Sequence, residues 1–346
     1  MQRVVAALVA VLMVVLALYL RGEFIDDGDG GDGNVRLLCT TELQAACTEL
    51  ADQSGVSVTV EPAGATARSL ASTPEGQRVD FDAWLAPSPW PEFVNVLRGE
   101  NQLDPVFATP SDPIARSPLV LVVRADRRPV LEAIPACNNK VDWKCVGAVA
   151  GGSWTDLPGG QAAWGAVKPA YGNPTESAAS LLVLSQATSE FLDTTDYARA
   201  DLESDEYLDW LSGIERAVPG TPPNPFVEMV QQLPTTTYDV VGTTEAEAAP
   251  AIAAAAPDRR KELTLLYPEP VVTADVVLAA VAGHDVGDLA DDAELAAALA
   301  RAGWRVPGQT NARGVRDTPA LPRGSGLPPD PGALVALQQT WSGVPK

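Results

Sequence analysis

Hydroxyl side chains recur where strand-like segments give way to helix-like ones. Thr40 and Thr41 follow the alternation Val35–Cys39, Gly64 and Thr66 follow Val56–Val60, and Ser88 follows Val79–Leu85. Thr175 and Ser177 follow Ala163–Lys168, and Thr243 and Thr244 follow Tyr238–Val241. A helix start carries unpaired N–H groups and the positive end of the helix dipole, so hydroxyls beside it recognise a polar or anionic solute without a full counter-charge. In open α/β sheets the ligand crevice lies outside the carboxyl ends of the strands. Taken singly, each of these residues reads as an ordinary cap. Their recurrence at successive strand ends is what points to a shared binding site.

Chemistry beyond binding has little to work with. The sole histidine, His284, sits in a Gly283-His284-Asp285 turn, and a surface-turn role outweighs catalysis there. No Ser-x-x-Lys, Gly-x-Ser-x-Gly or His-Glu-x-x-His pattern occurs. Asp80 and Asp82 lie two apart on one strand face, but two carboxylates alone make a thin calcium or magnesium site. We therefore expect a non-enzyme with no catalytic residue, no metal and no cofactor.

The elements that must position these hydroxyls alternate along the chain. Val35–Cys39 reads as a strand, with Leu43, Ala46, Cys47 and Leu50 as the apolar stripe of the helix behind it. Ser117–Arg124 is a nearly continuous apolar run, as in a strand covered on both faces. Helices are expected at Pro91–Leu97, Pro129–Ile134, Glu176–Phe191, Leu202–Ala217, Asn224–Leu233, Glu245–Ala256, Thr273–Ala282, Asp291–Ala302 and Ala333–Trp341, and a further strand at Leu263–Tyr267. Proline, glycine and arginine break any period from Val306 to Pro331. Strand–helix alternation without internal repeats argues for an α/β fold of parallel or mixed sheets with helices on both faces.

At 346 residues the chain can bury a full core, and its net charge of -21 opposes nucleic acid and anionic lipid surfaces. Val4–Leu20 holds no charge, and its 17 residues span about 25 Å as a helix, near the short limit for a bilayer. An uncleaved anchor over 1–21 is favoured over a cleaved signal because the small-residue cleavage pattern is missing, and no cysteine follows the run directly as a lipoprotein requires. Gly22–Asn34, rich in Gly and Asp, reads as a flexible linker. Cys39 and Cys47 are eight apart, as are Cys137 and Cys145. Four cysteines permit three pairings, of which two local disulfides are the simplest. A zinc site fits that spacing poorly, and disulfides place the folded part in an oxidising, extracytoplasmic compartment.

Seven stretches carry a family resemblance: VRLLCTTELQAACTEL, VTVEPAGATARSL, VDFDAWLAPSPW, ARSPLVLVV, WGAVKPAYGNPTESAASL, YDVVGTTEAEA and LTLLYPEPVVTADVVLAAV. Together they make Val35 to about Gly283 resemble the extracytoplasmic solute-binding proteins of the type II periplasmic fold, nearest the molybdate- and sulfate-binding branch. The resemblance implies two α/β lobes, 35–118 with 243–346 as lobe I and 119–242 as lobe II, with a ligand in the cleft between them. Thr40 or Thr41 then matches the first ligand hydroxyl, Thr66 or its neighbour Ala65 the second, Thr175 the far-lobe helix start and Thr243 the return-strand contact. Glu176, beside Thr175, opposes a bound oxyanion wherever it faces the cleft. The implied role is capture of a small polar or anionic solute by hinge closure for an ABC-type import permease. An anchored interaction or sensory module with the same fold is the alternative.

Overall fold

The computed structural model describes residues 35–54, 56–231, 237–315 and 328–346, and Arg36–Lys346 forms one unit. The expected anchor (1–21) and linker (22–34) lie outside the described residues. Among the described residues no helix is long and apolar enough to cross a membrane.

Leu119-Val120-Leu121-Val122-Val123 is apolar and buried at every position, as a strand needs when neighbours cover both its faces. It forms most of β4 (Ala115–Arg124), on which the sheet turns. The first part of β4 pairs antiparallel with β8 (Thr273–Ala280), from Ala115↔Val276 to Pro118↔Thr273. Its second part pairs antiparallel with β6 (Val240–Thr244) and β7 (Leu263–Leu266). On the far side of β8 stand β3 (Ala83–Pro87), β1 (Arg36–Thr40) and β2 (Ser57–Glu61), and β5 (Pro169–Ala170) flanks β6. The β1–β2, β1–β3 and β5–β6 pairs are parallel, giving a mixed sheet of eight strands.

Helices connect the strands. α1 (Gln44–Ser54) follows β1, α2 (Ala63–Ser72) follows β2 and α3 (Trp90–Glu100) follows β3. After β4 come α4 (Arg128–Glu132), α5 (Trp143–Val149), α6 (Ala178–Leu192), α7 (Asp205–Arg216) and α8 (Pro225–Gln231). The chain continues through α9 (Glu245–Ala254), α10 (Pro257–Lys261), α11 (Ala293–Arg301) and α12 (Pro331–Gly343). α6 is buried from Ala178 to Glu190, the signature of a central rather than a surface helix. The disulfides pair Cys39 with Cys47 and Cys137 with Cys145, tying β1 to α1 and the preceding loop to α5.

Several segments differ from the sequence expectation, among them the strands expected at Val79–Leu85 and Tyr238–Val241, which run over Ala83–Pro87 and Val240–Thr244. Thr273–Ala282, expected as helix, is the central strand β8, buried from Thr273 to Ala279. Burial on both faces removes the two-residue alternation that separates strand from helix, leaving Val276 and Val277 as the β-branched clue. Ala163–Lys168, expected as strand, is a 3₁₀ turn at Ala162–Trp164 that Gly165 ends at φ 71°, before the short β5. The helix expected from Leu202 starts at Asp205, where the Ser204 hydroxyl accepts the Tyr207 N–H at 3.4 Å. Thr66 lies inside α2 rather than at its start, because the helix begins at Ala63 behind Pro62. Ala248 and Leu263 share one core with Val120, Val122 and Val241.

Candidate functional site

β1 ends at Thr40, and the chain turns through a 3₁₀ segment, Thr41–Leu43, that carries Glu42 in its first turn. Opposite stands the start of α6. Ser177 caps that helix, its Oγ accepting the Ser180 N–H at 3.1 Å, while the same hydroxyl donates to Glu42 Oε1 at 2.8 Å. The Ala179 N–H also donates to Glu42 Oε1, at 3.1 Å. The positive end of α6, the place where a helix offers most to an anion, is thus occupied by the protein's own carboxylate.

A third wall comes from β6 and α9. Thr244 caps α9, accepting the Glu247 N–H at 3.2 Å. One turn on, Glu247 accepts hydrogen bonds from the Thr243 hydroxyl and, at 2.9 Å, from Asn224 Nδ2. Burial pushes the Glu247 carboxyl above its ordinary pKa, the bonds from Thr243 and Asn224 counter this, and the charge of Glu42 adds to the rise.

These walls enclose a cavity of about 640 Å³. Thr41, Ser177 and Thr243 line it, as do Glu42, Ser180 and Glu247. The buried Phe226 and Trp304 back it, and no Lys, Arg or His belongs to the lining among the described residues. Gly172 allows a close approach to Ser180: a methyl group there would fall 2.4 Å from Ser180 Oγ.

The other sequence-selected residues lie elsewhere. Thr40 is fully buried beneath the turn, its hydroxyl without a partner among the described residues. The Thr66 hydroxyl donates to Glu61 at 3.3 Å, and the Thr175 hydroxyl donates to Asn173 Oδ1 at 2.8 Å. The Ala65 N–H closes the first turn of α2 on the Pro62 carbonyl at 3.0 Å, and the Ser88 N–H donates to the Asp275 carbonyl at 2.7 Å. None of these five lines the cavity. Glu176 turns away to pair with Arg68 at 2.9 Å, and Arg68 also donates to the Thr175 carbonyl at 3.0 Å. Beside that pair the Gly64 N–H donates to the Glu176 carbonyl at 3.0 Å; a Cβ on Gly64 would sit 1.8 Å from the Thr175 oxygen, so only glycine allows the approach. Together with the Glu42 contacts, these bonds stitch residues 175–179 to the turns after β1 and β2.

Sequence reasoning passed over Glu42, Glu247, Asn224 and Ser180. An acid in the first turn of a helix reads as a solvated dipole partner. The signal that was present is position: Glu42 directly follows the hydroxyl pair, and Glu247 lies four residues after Thr243. Asp82, considered as half of a metal pair, is instead held by Arg36 at 2.6 Å and by His284 Nδ1 at 2.9 Å.

Neither a protein-family model nor a curated protein matches the sequence. Solved structures do match in shape. An ABC transporter structure from Clostridium perfringens is 10% identical with a TM-score of 0.54, covering 89% of this chain and 99% of that one. The periplasmic binding protein of Actinobacillus pleuropneumoniae with exogenous fructose-6-phosphate bound is 14% identical, TM-score 0.50, covering 82% and 88%. A periplasmic thiamin binding protein is 12% identical, TM-score 0.50, covering 92% and 98%. At such identities the likeness speaks for architecture, and the chain has the mixed α/β fold of the periplasmic solute-binding proteins.

Proposed function

We propose that this protein is an extracytoplasmic solute-binding protein that captures a small solute and delivers it to a membrane permease of the ABC type. The observation that carries the reading is the cavity at the strand ends, walled by the turn after β1, the start of α6 and the start of α9. Its size falls in the range of about 300–1,000 Å³ typical of small-molecule sites. Polar groups converge on it from three elements, which is what orienting a small solute requires. The two disulfides support an oxidising compartment. Structural neighbours that bind a sugar phosphate and thiamin support capture of small molecules, and their ligands differ too much to name this one. In this reading Thr41, Ser177 and Thr243 contact the solute, two lobes close by a hinge, and residues 1–21 anchor the protein. The molybdate and sulfate branch is set aside, because two carboxylates and no cation line the space.

Gln44 lies exposed at the cavity rim, so Gln44→Trp fills the space without disturbing the core. Equilibrium dialysis of the full chain against a mixture of amino acids, sugars, amines and oxyanions, read by mass spectrometry, is expected to enrich one solute class. Gln44→Trp should lose that enrichment with an unaltered melting curve. Enrichment of nothing by the wild type, or equal enrichment by the variant, rejects capture in this cavity.

A further inference from the structure

Resting on the capture reading above, the chemistry of the cavity also narrows its solute. We infer that the cavity takes a small organic cation, an amine or ammonium compound, with its positive charge held between Glu42 and Glu247.

Three observations carry this. First, carboxylates line one open cleft from two walls, Glu42 from the turn after β1 and Glu247 from α9, with no Lys, Arg or His in the lining among the described residues. A bound anion would face both acids in a low-dielectric setting, whereas a cation makes charge-assisted hydrogen bonds to them. Second, the hydrogen bonds within the protein leave capacity for a guest. Both strong donors to Glu42, Ser177 and Ala179, go to Oε1, and among the described residues Oε2 meets only the Thr41 hydroxyl at 3.4 Å. Third, Ser180 is 7% exposed and faces the same space, and its Oγ takes part in no hydrogen bond among the described residues. A nearly buried hydroxyl in that state is an acceptor for an ammonium N–H.

The start of α6 reinforces the choice. Its free N–H groups would be the natural seat of an oxyanion, yet Glu42 already fills that seat and brings its charge to the cavity edge. The overall charge of -21 draws cations toward the molecule.

Isothermal titration calorimetry of the full chain with putrescine, choline, sulfate and glucose tests the inference. Putrescine or choline is expected to bind the wild type, and sulfate is expected not to. Glu247→Gln, which keeps the shape and removes the charge, should weaken that binding about tenfold or more. Glu42→Gln, nearer the rim, serves as the second variant should Glu247→Gln melt early, and it should weaken binding in the same direction. Sulfate binding to the wild type overturns the inference. So does glucose binding without either amine, or amine binding that both variants leave unchanged. Silence toward all four probes while the dialysis experiment enriches a solute that is not an amine overturns the cation assignment alone; failure of the dialysis experiment overturns capture itself.

Discussion

Asp82 accepts the backbone N–H of Arg36 at 2.8 Å and its guanidinium at 2.6 Å, and it meets His284 Nδ1 at 2.9 Å. These partners, Arg36 foremost, hold its carboxyl well below the ordinary aspartate range. A carboxyl whose pKa is lower folded than unfolded adds stability above its unfolded value of about 3.9, and that stability is lost as pH falls toward the folded value. Urea midpoints between about pH 6 and pH 2 should therefore fall more steeply for the wild type than for Asp82→Asn. The two curves should converge at the acid end; parallel curves would show that Asp82 contributes nothing to the pH dependence. Of the strand-end hydroxyls that the sequence singles out, Thr41, Ser177 and Thr243 line the cavity. Thr66 and Thr175 have the same chemistry but spend it on Glu61 and Asn173, neighbours that spacing alone does not reveal. The acids stayed hidden because an exposed and an inward-facing glutamate look alike in a first helical turn.

Elements were legible in proportion to how clearly one face was wet. The strand–turn–helix over 36–54 and the capped helix α11 show a distinct apolar stripe, whereas β8, covered on both faces, lacks the alternation that marks a strand. One buried pair fixes the wall carrying Trp304. Arg305, 6% exposed, donates from Nε to Glu245 Oε2 at 2.6 Å and from a terminal nitrogen to Oε1 at 2.9 Å; Glu245 is fully buried. The Arg305 N–H and carbonyl also bond the backbone of Arg116 on β4, at 2.8 and 2.9 Å, and Tyr267 donates to Glu245. Arg305→Ala leaves the Glu245 carboxylate buried without its guanidinium, a loss of about 3–5 kcal/mol. Denaturant unfolding should register that loss, and Glu245→Gln in the Arg305→Ala background should recover part of it, because the uncompensated charge is then gone. A single substitution costing less than about 1 kcal/mol, the level of a surface pair, would reject the assignment.

Across the whole molecule, the longest-range device is the C-terminal helix. α12 packs on α3, which follows β3, and on α6, which opens at the cavity. Leu334, Leu337 and Trp341 are buried beneath it, and Gln338 Nε2 donates to the Pro174 carbonyl at 2.9 Å. Pro174 lies three residues before Ser177, so this helix braces the segment that holds Glu42. Its position was only half legible: the periodicity of 333–341 signals a helix, but nothing in the sequence says which surface it covers. Removing residues 330–346 takes away three buried apolar side chains, Leu334, Leu337 and Trp341, each worth about 1.5–3 kcal/mol of burial, uncovers the surface they packed on, and should lower the melting temperature by at least about 5 °C. Gln338→Ala removes one hydrogen bond, about 1 kcal/mol, and leaves the apolar contacts in place. The two changes therefore separate bracing from bulk stability. If α12 positions the start of α6, Gln338→Ala should weaken solute capture in the dialysis experiment with a nearly unchanged melting curve. Capture that follows only the melting temperature would make the helix a cover for the core and no part of the site.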